Sequence, residues 1–252
     1  MKNFSDYLQE NISGKNVLIS GGTTGIGRAT AVMLASIGAN VLIFGRNQQQ
    51  LDETLHAIKE NNAEANCNGL LADLANPADI TTVFDKVDKI FDQLDIMINN
   101  AGLAFQGITD GNYADWEYIL KTNLLGTLAC SHEAIARMRK QGKGHIVNIG
   151  SMSADVREKD SSVYVATKAG IQGFSEAFRK EANELGIKVS LIEPGAVDTD
   201  MQDGTASEKE EKNNNMEMLK SEDIAMAVVY CLAQEKRTAV VNLQIRPQLQ
   251  LI

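Results

Sequence analysis

Asn16-Val17-Leu18-Ile19-Ser20-Gly21-Gly22-Thr23-Thr24-Gly25-Ile26-Gly27 sets a short apolar run directly before a cluster of glycines. The run is too short for a helix and reads as a buried strand over Asn16–Ser20. From Gly25 to Ile37, the residues Ile26, Ala29, Met33 and Ile37 recur at helical spacing, so a helix burying that face is expected. Glycines let the loop between them turn tightly and approach a ligand closely. The helix N-terminus behind it offers unpaired N–H groups and a positive dipole end. Strand, loop and helix together suit a pyrophosphate, with Gly21, Thr23, Thr24, Gly25, Ile26 and Gly27 around it. A glycine cluster taken alone is equally an ordinary turn. The spacing is G-x-x-x-G-x-G, not the G-x-G-x-x-G of other dinucleotide-binding folds.

The same alternation continues along the chain. Val41–Phe44 is a second strand, followed by a polar helix over Asn47–Asn61. Gly69–Ala72 is a weaker third strand. Asn76-Pro77 then reads as an N-cap with proline in the first helical position, opening a stripe of Ile80, Val83, Phe84, Val87, Ile90, Phe91 and Leu94. Asp95–Ile98, His145–Ile149, Lys188–Ile192 and Thr238–Ile245 complete seven strands, with long helices near 115–139 and 162–185 between them. Strands separated by helices imply a parallel sheet covered on both faces. The fold class is therefore α/β, a single-domain doubly wound parallel sheet of about seven strands. One domain spans 1–252, since 252 residues fit one large α/β domain and no linker or repeat divides them. The polar stretch Ser207–Asn215 follows the sixth strand, where a substrate flap near 198–220 could sit; it also reads as a solvated helix start.

Composition narrows the function. With 24 basic and 33 acidic residues the net charge is −9, the wrong sign for following a nucleic-acid backbone. Cys67, Cys130 and Cys231 are odd in number and far apart, which is no disulfide framework and no zinc spacing. His56, His132 and His145 have no ligand spacing either, so no metal is expected. A reducing cytoplasm fits these thiols. The polar start, Met1–Gly14, has no apolar core of a signal peptide, and the most apolar stretch, Ala29–Phe44, is too short and broken to span a bilayer.

Chemistry concentrates at Tyr164-Val165-Ala166-Thr167-Lys168. Residues at i and i+4 share a helical face, and a nearby ammonium is expected to lower the pKa of a phenol toward the range of useful proton exchange. Such a pair on a helix is also a common surface feature. Ser151 stands 13 residues before Tyr164, at the end of the fifth strand, where its hydroxyl could hold a substrate oxygen. Asn99-Asn100-Ala101-Gly102 follows the fourth strand, at the sheet edge where ligands bind; it also reads as a simple turn.

Together these residues resemble the short-chain dehydrogenase/reductase family, in order over about residues 14–201. The matching pieces are the Gly21–Gly27 loop, Asp73-Leu74, Asn99–Gly102, Asn123, Asn148–Ser151, Tyr164 with Lys168, and Pro194-Gly195 followed by Val197, Thr199 and Met201. The resemblance implies a Rossmann-type sheet and an NAD(P)-dependent oxidoreductase acting on a carbonyl or secondary alcohol. It implies Tyr164 as general acid or base, Lys168 on the nicotinamide ribose, Ser151 on the carbonyl oxygen, and Asn123 anchoring a water in a proton relay. Asp73 and Leu74 would flank the adenine. Asn100, Ala101 and Gly102 would line the ribose side, and Pro194, Gly195, Val197 and Thr199 the carboxamide end. Individually, Asn123, Asp73 and Thr199 also read as ordinary turn or capping residues.

Arg46 follows the second strand, and no carboxylate lies between Val41 and Gln50. A carboxylate there would select NAD through the ribose hydroxyl, whereas an arginine suits a 2′-phosphate. NADP(H) is therefore the expected cofactor and NAD(H) the alternative. Relatives preferring NADP also often carry a basic residue where this chain has Thr24. Leu103, Phe105, Met201, Met216, Met218 and Leu219 would frame a substrate pocket or pack a flap on the body. Arg157 would meet an acidic substrate group or belong to a solvated mixed-charge loop. The resemblance also implies a homodimer or homotetramer through the two long helices. The tail Ile245–Ile252 departs from the commonest family ending. A non-catalytic dinucleotide sensor is the competing class, which needs the glycine loop but not the phenol.

Overall fold

Side-chain alternation along the strands dictates two cores. In β1 (Asn16–Ser20), Val17 and Ile19 enter one core and Leu18 the other, all fully buried. β2 (Asn40–Gly45) repeats this, with Val41 and Ile43 set against Leu42 and Phe44. Strands buried on both faces read as unbroken apolar runs, which is why they were legible. The computed structural model describes residues 2–202 and 204–250. Met1, Asp203 of the flap, and Leu251 and Ile252 of the tail lie outside the described residues.

The chain runs α1 (Phe4–Asn11), β1, α2 (Gly25–Ser36), β2, α3 (Gln48–Asn61), β3 (Cys67–Leu71), α4 (Pro77–Ile90) and β4 (Ile96–Asn99). There follow α5 (Tyr113–Leu120), a π-helical turn (Lys121–Leu125), α6 (Gly126–Gln141), β5 (Gly144–Ile149), α7 (Ser153–Val156) and α8 (Ser162–Asn183). β6 (Ile187–Pro194), α9 (Ala206–Asn214), α10 (Ser221–Leu232) and β7 (Asn242–Ile245) complete it. The seven strands are parallel in the order β3-β2-β1-β4-β5-β6-β7. Residues of α2, α3 and α10 join the core on one face, and those of α4, α6 and α8 the core on the other. The order reverses between β1 and β4, where Val17 pairs Ile96 and Ser20 pairs Asn99. The connections after β1 and β4 leave toward opposite faces there and open a crevice at the carboxyl edge.

Several elements differ from the sequence expectation. The most buried face of α2 is Gly27, Thr30, Ala31, Leu34 and Ala35, one residue round from the predicted stripe. Small residues let the helix lie close on the sheet, while Ile26, Met33 and Ile37 pack half-buried along the flank. β3 begins at Cys67 rather than Gly69, and β7 at Asn242 rather than Thr238. Both are edge strands without a fully buried residue, so neither carries a strong apolar pattern. The expected helix near 115–139 spans Tyr113–Gln141 but is widened by the π turn. α1 and α10 lie where the sequence pattern shows no element, and the polar stretch Ser207–Asn215 falls in and just beyond α9, a helix over Ala206–Asn214 capped by Thr205 with Glu208.

His145 of β5 is buried with Nε2 2.8 Å from Ser190 Oγ. Ser190 Oγ donates its own proton to the Val240 carbonyl at 2.6 Å, so His145 Nε2 is the donor in their bond. Burial, with Lys188 nearby, pushes the imidazole pKa down to about 3. An unfolded histidine titrates near ~6.5, so between those values the unfolded chain binds the extra proton. Stability is then full above about pH 6.5 and falls as pH drops toward 3. The expected loss on going from pH 7.5 to 5 is about 2 kcal/mol from this group. Urea unfolding of wild type and His145→Gln at the two pH values checks it. An equal loss in the variant would rule out His145 as the cause.

Candidate active site

The glycine loop is shaped by contacts that leave no room for side chains. Gly21 has φ +60°, and a Cβ there would lie 2.8 Å from Ala101 Cα. A Cβ on Gly27 would lie 2.0 Å from the Gly21 carbonyl oxygen and 2.5 Å from Asn100 Nδ2. Asn100 Nδ2 donates to the carbonyls of Ser20 (3.1 Å) and Gly21 (2.9 Å), fastening the loop to the end of β4. The Asn100 and Ala101 amides both reach Ser20 Oγ, at 3.0 and 3.1 Å. Thr23 is buried and its carbonyl accepts from Thr54 Oγ1 of α3 at 2.9 Å. Thr24 caps α2 in extended conformation but makes no side-chain capping bond, and the first turn holds no acidic residue. The N-terminal amides of α2 thus face the crevice with an uncompensated positive end, which fits a dinucleotide pyrophosphate.

The chemistry-bearing residues converge from four segments. A carbon on Gly102 would lie 3.7 Å from each of Asn123 Oδ1, Lys168 Nζ and Met201 Cε. Asn123 sits in the π turn, fully buried, and its amide is matched to one residue of backbone. Oδ1 accepts from Leu103 N at 2.8 Å, and Nδ2 donates to the Leu103 carbonyl at 2.9 Å. Nδ2 also reaches Thr167 Oγ1 at 3.3 Å, which donates to the Tyr164 carbonyl at 2.7 Å. π turns often mark functional sites, and this one brings Asn123 to both the segment after β4 and α8. Ser151, at the exit of β5, lies near enough to the Tyr164 hydroxyl to favour its ionised form, and its Oγ accepts from Ser153 N at 3.1 Å. Lys168 is buried, donates to the Ile149 carbonyl at 3.0 Å, and has Nζ 5.7 Å from the Tyr164 ring centroid.

The electrostatics correct one expectation. Burial raises the Tyr164 phenol above its ordinary pKa; the nearby Ser151 hydroxyl lowers it and Glu158 raises it further. Lys168 does not bring it down, because burial depresses the ammonium's own pKa to about 8. The cost of dehydrating a phenolate outweighs attraction from a cation that is itself dehydrated.

The remaining predicted residues divide between the crevice and its supports. Leu74 puts its side chain in the core with Phe84 and Val87. Asp73 closes its own turn, Oδ1 accepting from Ala75 N at 2.9 Å, and Oδ2 accepts from the Tyr118 hydroxyl at 2.8 Å. Arg46 Nη1 donates to that same hydroxyl. Pro194's carbonyl accepts from Met152 N at 2.9 Å, and Gly195 N reaches the Ile245 carbonyl at 2.7 Å. Val197 is buried and bridges to Leu219. Thr199 comes back over the glycine loop, its Cγ2 3.0 Å from where a Cβ on Gly25 would stand. Of the apolar set, Met218 and Leu219 pack on the body, Met201 stays largely exposed beside Gly102, and Met216 is exposed. Arg157 is exposed, with Nε on the Ala154 carbonyl at 3.3 Å.

Three supports escaped the sequence reading. Gln250 Oε1 accepts from Ala196 N at 3.1 Å, so the tail braces the turn after Pro194. Gln172 Nε2 holds both Asp155 (2.9 Å) and the buried Glu193 (3.0 Å). Its place at i+4 from Lys168 was the available signal. Tyr118, the third, had none, because its partners lie 72 and 45 residues away.

Comparison with known proteins identifies the family. The family model described as short chain dehydrogenase matches residues 15–210. An uncharacterized oxidoreductase of Staphylococcus epidermidis is 34% identical over 237 residues, 94% of this chain and 98% of the relative. One of Staphylococcus saprophyticus is 32% identical over the same share. Among solved structures, levodione reductase superposes with a TM-score of 0.83 at 27% identity, covering 93% of this chain and 96% of that one. A short-chain dehydrogenase/reductase from Serratia marcescens gives 0.84 at 26%, covering 96% and 100%. The chain belongs to the short-chain dehydrogenase/reductase family of oxidoreductases, with that family's Rossmann-type fold.

Proposed function

We propose that this oxidoreductase uses NADP(H) to interconvert a carbonyl compound and a secondary alcohol, with Tyr164 as the general acid or base. The observation that carries the reading is the convergence of Ser151, Tyr164, Lys168 and Asn123 on one end of the crevice whose other end is the glycine loop. When bound, the cofactor supplies or takes up a hydride at the carbonyl carbon. Ser151 holds the substrate oxygen, and Tyr164 passes its phenolic proton to that oxygen in reduction and takes it back in oxidation. Tyr164 carries its proton at neutral pH, the form an acid needs in reduction, and burial raises its pKa further. Lys168 holds the ribose hydroxyls and returns a proton to Tyr164. Asn123 keeps the relay in place; with its amide engaged by Leu103, a relay water would rest on its backbone carbonyl.

The loop residues Gly21, Thr23, Thr24, Gly25, Ile26 and Gly27 would hold the pyrophosphate, and Asp73 and Leu74 the adenine. Asn100, Ala101 and Gly102 would line the riboses, and Pro194, Gly195, Val197 and Thr199 the carboxamide. Arg46 would meet the 2′-phosphate. Paired fluorescence titrations with NADPH and NADH test the cofactor choice. The expected result is NADPH binding at least about tenfold tighter, one charge-assisted bond's worth. Equal or tighter NADH binding would overturn it in favour of NAD(H).

A homodimer or homotetramer belongs to the same reading. Tyr113 is 75%, Leu125 55% and Leu120 42% exposed, and with Trp116, Leu124 and Leu128 they line one apolar groove across α5, the π turn and α6. Light scattering at the 27.4 kDa monomer mass would refute it. The free thiols Cys67, Cys130 and Cys231 support a cytoplasmic location, which cell fractionation tests. No helix among the described residues is long and apolar enough to cross a membrane.

A further inference from the structure

We propose that Tyr118 is a positioning residue for cofactor selection, holding Arg46 open for a 2′-phosphate and keeping it from pairing with Asp73. The proposal rests on the NADP(H) reading. Three elements supply the parts: Arg46 follows β2, Asp73 follows β3, and Tyr118 lies in the last turn of α5. A carboxylate can only accept and a guanidinium can only donate, so the Tyr118 hydroxyl gives its one proton to Asp73 and accepts from Arg46. Burial and the bond to Asp73 raise the Tyr118 pKa, although Arg46 opposes them, so the hydroxyl keeps the proton this arrangement needs.

The anchor at the far end is rigid. Asp73 is held by its own turn through Ala75 N and by its amide on Asp79 Oδ2 at 2.8 Å. Tyr118 transmits that rigidity to Arg46, whose guanidinium carbon lies 5.8 Å from the Tyr118 ring centroid. Among the described residues Arg46 makes no other hydrogen bond and no ion pair, so Nε and Nη2 keep their donors for a ligand. A phosphate monoester takes such a fork of donors, and a guanidinium already held at one corner loses less rotamer freedom in binding it. Without the hydroxyl, Asp73 and Arg46 have opposite charges and no spacer, and the guanidinium is free to fold onto the carboxylate.

Tyr118→Phe keeps the ring and removes only the hydroxyl. Dissociation constants for NADPH, NADH, adenosine 2′,5′-bisphosphate and 5′-AMP are measured on wild type, Tyr118→Phe, Arg46→Ala and the double variant. Tyr118→Phe is expected to weaken NADPH and the bisphosphate about tenfold while NADH and 5′-AMP change less than about twofold. In the Arg46→Ala background the same change should add nothing, because the two residues act as one unit. If wild type prefers NADPH but Tyr118→Phe leaves the ratio intact, or weakens all four ligands alike, the role of Tyr118 is refuted and the cofactor reading stands. A wild type that binds NADH as tightly as NADPH refutes both.

Discussion

Tyr164→Phe is expected to lower turnover by about 10²–10⁴-fold, the usual contribution of a positioned acid or base. The change deletes one oxygen. Its ring stays at the first turn of α8, so packing against the crevice persists and NADPH affinity should change less than about threefold, a shift under about 0.7 kcal/mol. The hydroxyl removed is the one nearest Ser151, on the same face as the buried Lys168. The loss should appear in kcat and kcat/KM together, since the group acts in the transition state rather than in substrate binding. Steady-state NADPH oxidation with a panel of ketones and aldehydes, alongside cofactor titration, measures both quantities. A Phe variant as fast as wild type would remove Tyr164 from the mechanism, and a variant that no longer binds NADPH would mean the residue was holding the crevice together.

Gly27→Ala should damage the other end of the site. The new Cβ would stand 2.0 Å from the Gly21 carbonyl oxygen and 2.8 Å from its carbonyl carbon, and backbone cannot swing aside as a flexible side chain can. Either α2 shifts off the sheet or the loop opens, and both misplace the amides offered to the pyrophosphate. Overpacking of this kind costs about 1–3 kcal/mol, or roughly 3–10 °C in Tm for a chain of this size. Losing one or two charge-assisted bonds weakens NADPH about 10–100-fold or more. Gly173→Ala is the control: exposed within α8, its Cβ would meet nothing within 4 Å. Alanine there should be neutral or stabilise by up to about 1 kcal/mol. Matching losses in the two variants would show that the close approach at Gly27 has no special weight.

Local signals account for the parts that were legible. β1, β2, β4 and β5 are buried on both faces and so announce themselves as continuous apolar runs. α4 carries its cap and proline in two consecutive letters, and Tyr164 with Lys168 is one helical turn. The exceptions are equally physical. Half-buried edge strands have no pattern to betray their limits, so β3 and β7 were displaced by two and four residues. The expected stripe on α2 follows mostly its larger residues, whereas the face laid on the sheet is mostly small, Gly27, Thr30, Ala31 and Ala35 beside Leu34. Nothing in Lys121–Leu125 spells a π turn, and the partner of its Asn123, Leu103, lies 20 residues away.

Periodicity and motif spacing by themselves determined the parallel αβ alternation, the glycine loop at the first strand–helix junction and the pairing of Tyr164 with Lys168, since each rests on residues a few positions apart; Asn123 entered only through the family resemblance. Tertiary structure alone decided how those residues behave. It made Tyr164 harder rather than easier to ionise, and it braced the Pro194 turn with Gln250. It also set Tyr118 between Arg46 and Asp73. Burial and long-range hydrogen bonds belong to the assembled sheet, and no local stretch of chain records them.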